Sequence, residues 1–255
     1  RNNETNKGFW INTDYNYLET NTNNLKANRV YIGVDNKLDF NNFNLVYGIK
    51  ASKSKLKSNK TLSTNIDVNS IGIYAGMNFN QGTFIDYDLN FLALKSNYKS
   101  DIALIDTTRY DNIWQAKIKL GQRIGSNYYL EPNIKLIATY YPSININNQA
   151  LDISTKKDIQ YTTKVGIKAG ANINDKLSLK TEASYIKDLN NSPINSVSDG
   201  IDYNFERIKD SGLEIKFRID YKPSPNTSIG LDLTKSITKH FNNNYNVNLG
   251  FAYNF

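Results

Sequence analysis

The 255-residue sequence contains no cysteine, one histidine, one methionine and five prolines. Without cysteine it has no disulfide, no thiol nucleophile and no thiolate metal site. The single histidine, His240, lies in a polar link between the last two apolar segments. Asp232 and Ser236 are near it in sequence, but proximity along a strand does not make a catalytic dyad, so His240 is read as a loop residue. No apolar run approaches the roughly 20 residues that a membrane helix needs, which excludes helical spanning. No phosphate-binding glycine loop is present, because Gly72, Gly76, Gly166, Gly170 and Gly250 fall inside alternating segments, where they relieve crowding or let strands curve. No metal site and no cofactor are expected. The sequence starts at Arg1 with neither an initiator Met nor a secretory signal, so a longer precursor is expected.

What is present is period two. In the last segment Tyr245, Val247, Leu249, Phe251, Tyr253 and Phe255 alternate with Asn246, Asn248, Gly250, Ala252 and Asn254. Successive strand side chains point to opposite faces, so one face is wholly apolar and the other is small or polar. The pattern recurs from Ile71 to Phe79, from Tyr161 to Ala171 and from Leu213 to Tyr221. About twelve segments of barrel-strand length follow, beginning near Gly8, Asn28, Phe43, Asn65, Thr83, Tyr110, Tyr128, Ile159, Leu177, Ser211, Ser228 and Tyr245. A mean hydropathy of −0.56 does not oppose a barrel, since only every second strand residue faces lipid. Aromatic residues at 12% of the chain, Tyr foremost, suit membrane–water interfaces.

The connections alternate too. Short links fall at Asp39–Asn42, Asn80–Gly82, Gly125–Asn127, Asn174–Lys176 and Pro223–Asn226. Between them lie longer polar links at Glu19–Ala27, Lys53–Thr64, Lys95–Arg109, Pro142–Asp158, Asp188–Asp210 and Lys239–Asn244. Outer-membrane barrels pair tight periplasmic turns with long extracellular loops. A soluble β-sandwich has no reason to segregate its long loops, and a β-solenoid would need a fixed repeat. The fold expected is therefore all-β, a single antiparallel transmembrane β-barrel over residues 8–255. With an even strand number, Gly8 and Phe255 share the periplasmic end.

The non-lipid phase carries charges of both signs: Asp86, Asp88, Lys117, Lys119, Glu131, Lys135, Lys164, Lys168, Lys180, Glu182, Lys216, Arg218 and Asp232. Buried singly these would be costly, so the interior must hold water, paired charges or a polar plug. The net charge of +7 fits this lumen and solvated loops, with no nucleic-acid partner. The densest basic stretch, Lys50–Lys60, is expected in a surface loop that could meet lipopolysaccharide phosphates or simply be solvated.

Gly8-Phe9-Trp10-Ile11, Gly33-Val34-Asp35, Leu45-Val46-Tyr47-Gly48, Leu130-Glu131-Pro132 and the ending on Phe251, Tyr253 and Phe255 together resemble the C-terminal translocator domain of autotransporters (type V secretion). The resemblance covers essentially the whole chain. It implies an outer-membrane, multi-pass, monomeric and non-enzymatic barrel that anchors a passenger domain and helps carry it to the cell surface. It also implies outer-membrane lipid, lipopolysaccharide and the barrel-assembly machinery as partners, with Phe251, Tyr253 and Phe255 as the assembly signal. A pore helix is implied ahead of the barrel. Residues 1–7 are too short and Asn-rich to supply it, and are read as a remnant of a linker or pore segment. On this resemblance Asp86, Asp88, Lys117, Lys119, Glu131, Lys164, Lys168, Glu182, Lys216 and Arg218 would contact the helix or passing chain, with Glu131, Lys117 and Arg218 holding the plug. The alternative reading is a free-standing channel for small solutes.

Overall fold

The computed structural model describes residues 7–19, 24–58, 63–100, 105–148, 151–190, 194–198, 201–205, 210–239 and 243–255. Its strands are β1 (Lys7–Glu19), β2 (Asn24–Asp39), β3 (Phe43–Ser58), β4 (Ser63–Phe79), β5 (Thr83–Ser100), β6 (Ile105–Gln122), β7 (Ile124–Gly125), β8 (Tyr128–Tyr141), β9 (Ile144–Asn148), β10 (Leu151–Thr155), β11 (Asp158–Asn172), β12 (Leu177–Asp188), β13 (Ile194–Ser198), β14 (Ile201–Phe205), β15 (Ser211–Ser224), β16 (Thr227–Thr238) and β17 (Asn243–Asn254). Twelve of these, all but β7, β9, β10, β13 and β14, form one closed antiparallel barrel.

Closure is made by the first strand pairing with the last, Gly8 opposite Asn254 and Glu19 opposite Asn243. No strand edge is left facing lipid, where unpaired N–H and C=O groups would have no partner. The side chains then sort by phase. Ile71, Ile167 and Leu213 stand 60%, 57% and 61% exposed, while Ser54, Asn90, Glu131 and Asp232 are buried. Apolar outside and polar inside is the distribution of a protein whose solvent is hydrocarbon.

The short connections all fall at the end that holds Gly8 and Asn254. Gly82 and Gly125 sit there at φ +92° and +99°, a left-handed geometry that residues with a Cβ rarely adopt. Near the Pro223 turn, β15 continues to Ser224 with a register irregularity after Tyr221, as suits a proline that cannot donate to the ladder. At the other end, the links expected over Pro142–Asp158 and Asp188–Asp210 contain structure of their own. The hairpins β9–β10 and β13–β14 join through β10–β13 into a separate four-stranded sheet, in the order β14-β13-β10-β9. His240 lies outside the described residues, as do residues 1–6, and Lys7 belongs to β1 rather than to a preceding linker.

Three other expected long links are mostly strand. β2 to β6 run for 16 to 18 residues each, against 12 to 15 for the other barrel strands. A barrel strand needs only about 9–11 to cross the bilayer. Period two persists through the extension with its polarity inverted. Leu56 faces Ile66, Val68 faces Leu94 and Leu92 faces Ile113, all on the inward side. Lys53, Lys55 and Lys57 stand exposed on the outward side, in β3 rather than in a loop. Lysine on the lipid phase made these stretches look like loops, whereas above the bilayer that phase meets water.

The sorting makes a prediction on β17. Leu249, 54% exposed at the centre of the apolar stripe, should not tolerate charge: Leu249→Arg is expected to cost about 2–4 kcal/mol. Asn248 lies opposite Asp14 and Asp232, so Asn248→Arg should stay within about 0.5 kcal/mol of the parent. Denaturant unfolding of the barrel in lipid vesicles measures both, and equal costs would remove the assignment of faces.

Candidate functional site

The candidate site is the lumen, built from the inward phase of all twelve barrel strands. Toward the short-turn end it is crossed by aromatic side chains set over glycines. Trp10 lies against Gly33, where a Cβ would come 2.4 Å from its ring, and Tyr129 lies against Gly170, where the distance would be 2.1 Å. These glycines are seats for rings, a close approach that any side chain would block. Trp10 Nε1 donates to Tyr74 Oη at 2.8 Å, and that hydroxyl donates to Asp35 at 2.8 Å.

Ion pairs between strands fill most of the remainder. Glu131, 1% exposed, takes Arg123 at 2.5 Å and Lys168 on its other oxygen. Arg218 bridges Asp220 at 2.7 Å and Asp232 at 3.1 Å, and Lys216 reaches the same Asp232 at 3.3 Å. Lys180 pairs with Asp220 at 2.7 Å, Lys164 with Glu214 at 2.8 Å, Lys119 with Glu182 at 3.5 Å and Lys50 with Asp88. A charge in a confined lumen is costly alone and tolerable when paired and hydrogen-bonded, and most of the lumen charges described have an opposite charge within reach. Cavities remain between them, among them one of about 740 Å³ toward the short turns, one of about 290 Å³ beside Trp10 and Arg218, and one of about 370 Å³ toward the long connections. Lys119 and Lys135 line the first and the last of these.

Among the described residues Lys117 and Lys135 are lumen cations without an ion-pair partner. Lys135 stands in register with Lys119 on one side and Lys164 on the other, a row of three like charges across β6, β8 and β11. Asp86 likewise has no ion pair, although Lys119 lies opposite it in register.

This arrangement has relatives. The family description "Autotransporter beta-domain" matches residues 9–234. The chain belongs to the autotransporter β-domain family. Over 243 residues it is 25% identical to the serine protease SepA autotransporter of Shigella flexneri, covering 89% of this chain and 17% of that protein. It therefore spans about a sixth of the length of that relative. The solved β-domain of the Bordetella autotransporter BrkA superposes with a TM-score of 0.82 at 10% identity, covering 98% of this chain and all of that one. The transport unit of AIDA-I from Escherichia coli gives 0.76 at 16% identity, over 99% and 91%. An outer membrane channel from Pseudomonas putida gives 0.68 at 9% identity and a monoaromatic hydrocarbon channel 0.51 at 7%. Likeness at such identities speaks for the fold; the family match makes the chain an outer-membrane translocator barrel.

The β-domain places every lumen residue expected from the alternation on the inward phase. Asp86, Asp88, Lys117, Lys119, Glu131, Lys164, Lys168, Glu182, Lys216 and Arg218 all point in. The alternation alone did not give the pairing, nor several members. Lys50 was hidden in a basic run assigned to a loop, although its position next to Ile49 puts it on the polar phase. Trp10 and Tyr74 are inward by their phase relative to Phe9 and Ile73, but nothing in the alternation says that the two side chains meet. Arg123 lies between strands, where no periodicity applies. Asp232 and Ser236 are committed to Lys216, Arg218 and Glu214 rather than to each other.

Glu131 offers a test of the pairing. Glu131→Ala leaves Lys168 without a carboxylate and is expected to cost about 2–3 kcal/mol. Adding Lys168→Met should return part of that loss, because the stranded charge goes with it. Denaturant midpoints of the two single variants and the double variant check this; strict additivity would mean the residues do not act as a pair.

Proposed function

We propose that this β-domain anchors an N-terminal passenger in the outer membrane and takes part in its export, with the long connections at the cell surface and the short turns in the periplasm. The observation that carries this reading is the position of β1. Gly8 stands at the short-turn end beside Asn254, so a polypeptide continuing upstream from it starts at the periplasmic mouth of the lumen. Passage through a lumen lined by fixed, mutually paired charges suits a hydrated chain and asks no bond-breaking step of the barrel. Lys117 and Lys135 have charge left to offer a chain or helix inside, and Asp86 offers the opposite sign. We take these three, rather than the tightly paired Glu131 and Arg218, as the residues that meet the occupant. Phe251, Tyr253 and the 65%-exposed Phe255 serve as the address read by the barrel-assembly machinery.

The absence of cysteine makes orientation directly measurable. In intact cells a membrane-impermeant maleimide should label Lys156→Cys, exposed in a long connection, and not Asn42→Cys, exposed in a short turn. The reverse pattern would invert the proposed topology.

Occupancy is read separately in the full-length protein. Replacing Lys117 and Lys135 together by Glu should lower passenger display severalfold while the barrel still assembles, as judged by heat-modifiable migration on a gel. Undiminished display would remove both lysines from the export path. Steady solute conductance, with no passenger reaching the surface, would favour the channel reading.

A further inference from the structure

The outward face of β2–β5 carries a feature that export does not use. Immediately above the apolar belt, at the long-connection end, six lysines stand exposed: Lys26 on β2, Lys53, Lys55 and Lys57 on β3, and Lys95 and Lys99 on β5. The register arranges them in tiers. Lys53 lies opposite Val30 and Asn69, next to the last apolar residues of the belt. One step up, Lys55 and Lys95 flank Asp67 on β4, and Lys95 faces Tyr110, whose ring its ammonium approaches at 5.8 Å. In the next tier Lys57 lies directly opposite Lys26. From Lys53 to Lys57 the ladder climbs about 13 Å along the strand.

Like charges directly opposite in a sheet destabilise it. Asp67 and Asp106 are the carboxylates on this outward patch, and none of the six lysines is ion-paired among the described residues. Elsewhere at this end, among the described residues, the outward cations on the barrel strands are Lys187 and Lys235, on strands separated by β15, with Lys239 just beyond β16. The patch is thus one-sided, starts where the hydrocarbon ends, and needs counter-charge at the level of the headgroups.

We propose that it is a docking site for the phosphorylated glycolipid of the outer leaflet, lipopolysaccharide, with its acyl chains against Ile49, Ile71 and Leu89 and its phosphates among the lysine tiers. This rests on the orientation proposed above, since the opposite topology would present the lysines to the inner leaflet. The tiers suit a headgroup that carries several phosphates at different heights. A phospholipid headgroup, with a single phosphate, would occupy the lowest tier alone. Tyr110 at the belt edge gives the sugar–acyl boundary an aromatic face. Bound there, the glycolipid would hold one wall of the barrel in register with the outer leaflet.

The test uses the folded full chain in detergent micelles, with lipid adducts counted by native mass spectrometry. The probes are bis-phosphorylated lipid A, its dephosphorylated form, phosphatidylglycerol and, as a soluble polyanion, heparin. Lipid A should bind in preference to the other three. The triple substitution Lys53→Gln, Lys55→Gln, Lys57→Gln should weaken lipid A binding by about tenfold or more, the loss expected for three lysines at an anionic surface. The arginine triple at the same positions should restore it, and Lys187→Gln with Lys235→Gln should leave it unchanged. Equal binding by the glutamine triple, equal binding of phosphatidylglycerol, or stronger binding of heparin at the same ionic strength would overturn the site. Because micelles have no sidedness, binding can succeed while the Lys156→Cys labelling fails, which would overturn the leaflet assignment. Correct labelling with no lipid A preference would overturn the docking site alone.

Discussion

The whole structure depends on the seam between β1 and β17. In hydrocarbon every backbone N–H and C=O must find a protein partner, so a sheet can exist there only if its two edges meet. Gly8 to Glu19 pairing with Asn254 to Asn243 supplies that closure without a gap. The seam also fixes much else. It brings Gly8 and Asn254 to one mouth, sets which phase faces lipid, and commits the interior to the other phase.

From that commitment the lumen follows. Half of the residues must point into a confined interior, and this sequence lines it with carboxylates, lysines and arginines matched between strands, some adjacent and some not. Glu131 between Arg123 and Lys168, and Arg218 between Asp220 and Asp232, each hold two partners at once. The aromatic side chains inside are seated where glycine leaves room, Trp10 on Gly33 and Tyr129 on Gly170. The interior is thereby held at its polar joints, with Lys117, Lys135 and Asp86 among the lumen charges that have no ion pair among the described residues. A lumen balanced in this way suits a charged, hydrated occupant better than a greasy ligand.

The unequal strand lengths give the barrel two surfaces of different character. Along β2 to β6 the ladders continue past the apolar belt, and the polarity of the two faces is exchanged. Leu56, Ile66, Val68 and Leu94 turn inward while lysines turn outward. The same alternation therefore serves two solvents in one strand, with the crossover near Ala51 and Ala93. On the opposite side β9, β10, β13 and β14 use two long connections to make a separate sheet.

The sequence by itself determined the barrel, its twelve membrane strands, their approximate starts and the inward phase of the lumen charges. These are consequences of period two and of the alternation of short and long links, both of which are local. It misread Lys53–Ser58 as loop because the rule that apolar residues mark the outward face holds only within lipid, and the lipid boundary is not local information. Only the tertiary structure decided which charges pair, because partners such as Lys119 and Glu182, or Lys50 and Asp88, lie on strands that share no hydrogen bonds. It also decided that Trp10 and Tyr74 meet across the interior, 64 residues apart in sequence. Those distances depend on curvature and closure, and a closed barrel brings residues together across a space that no strand pattern describes.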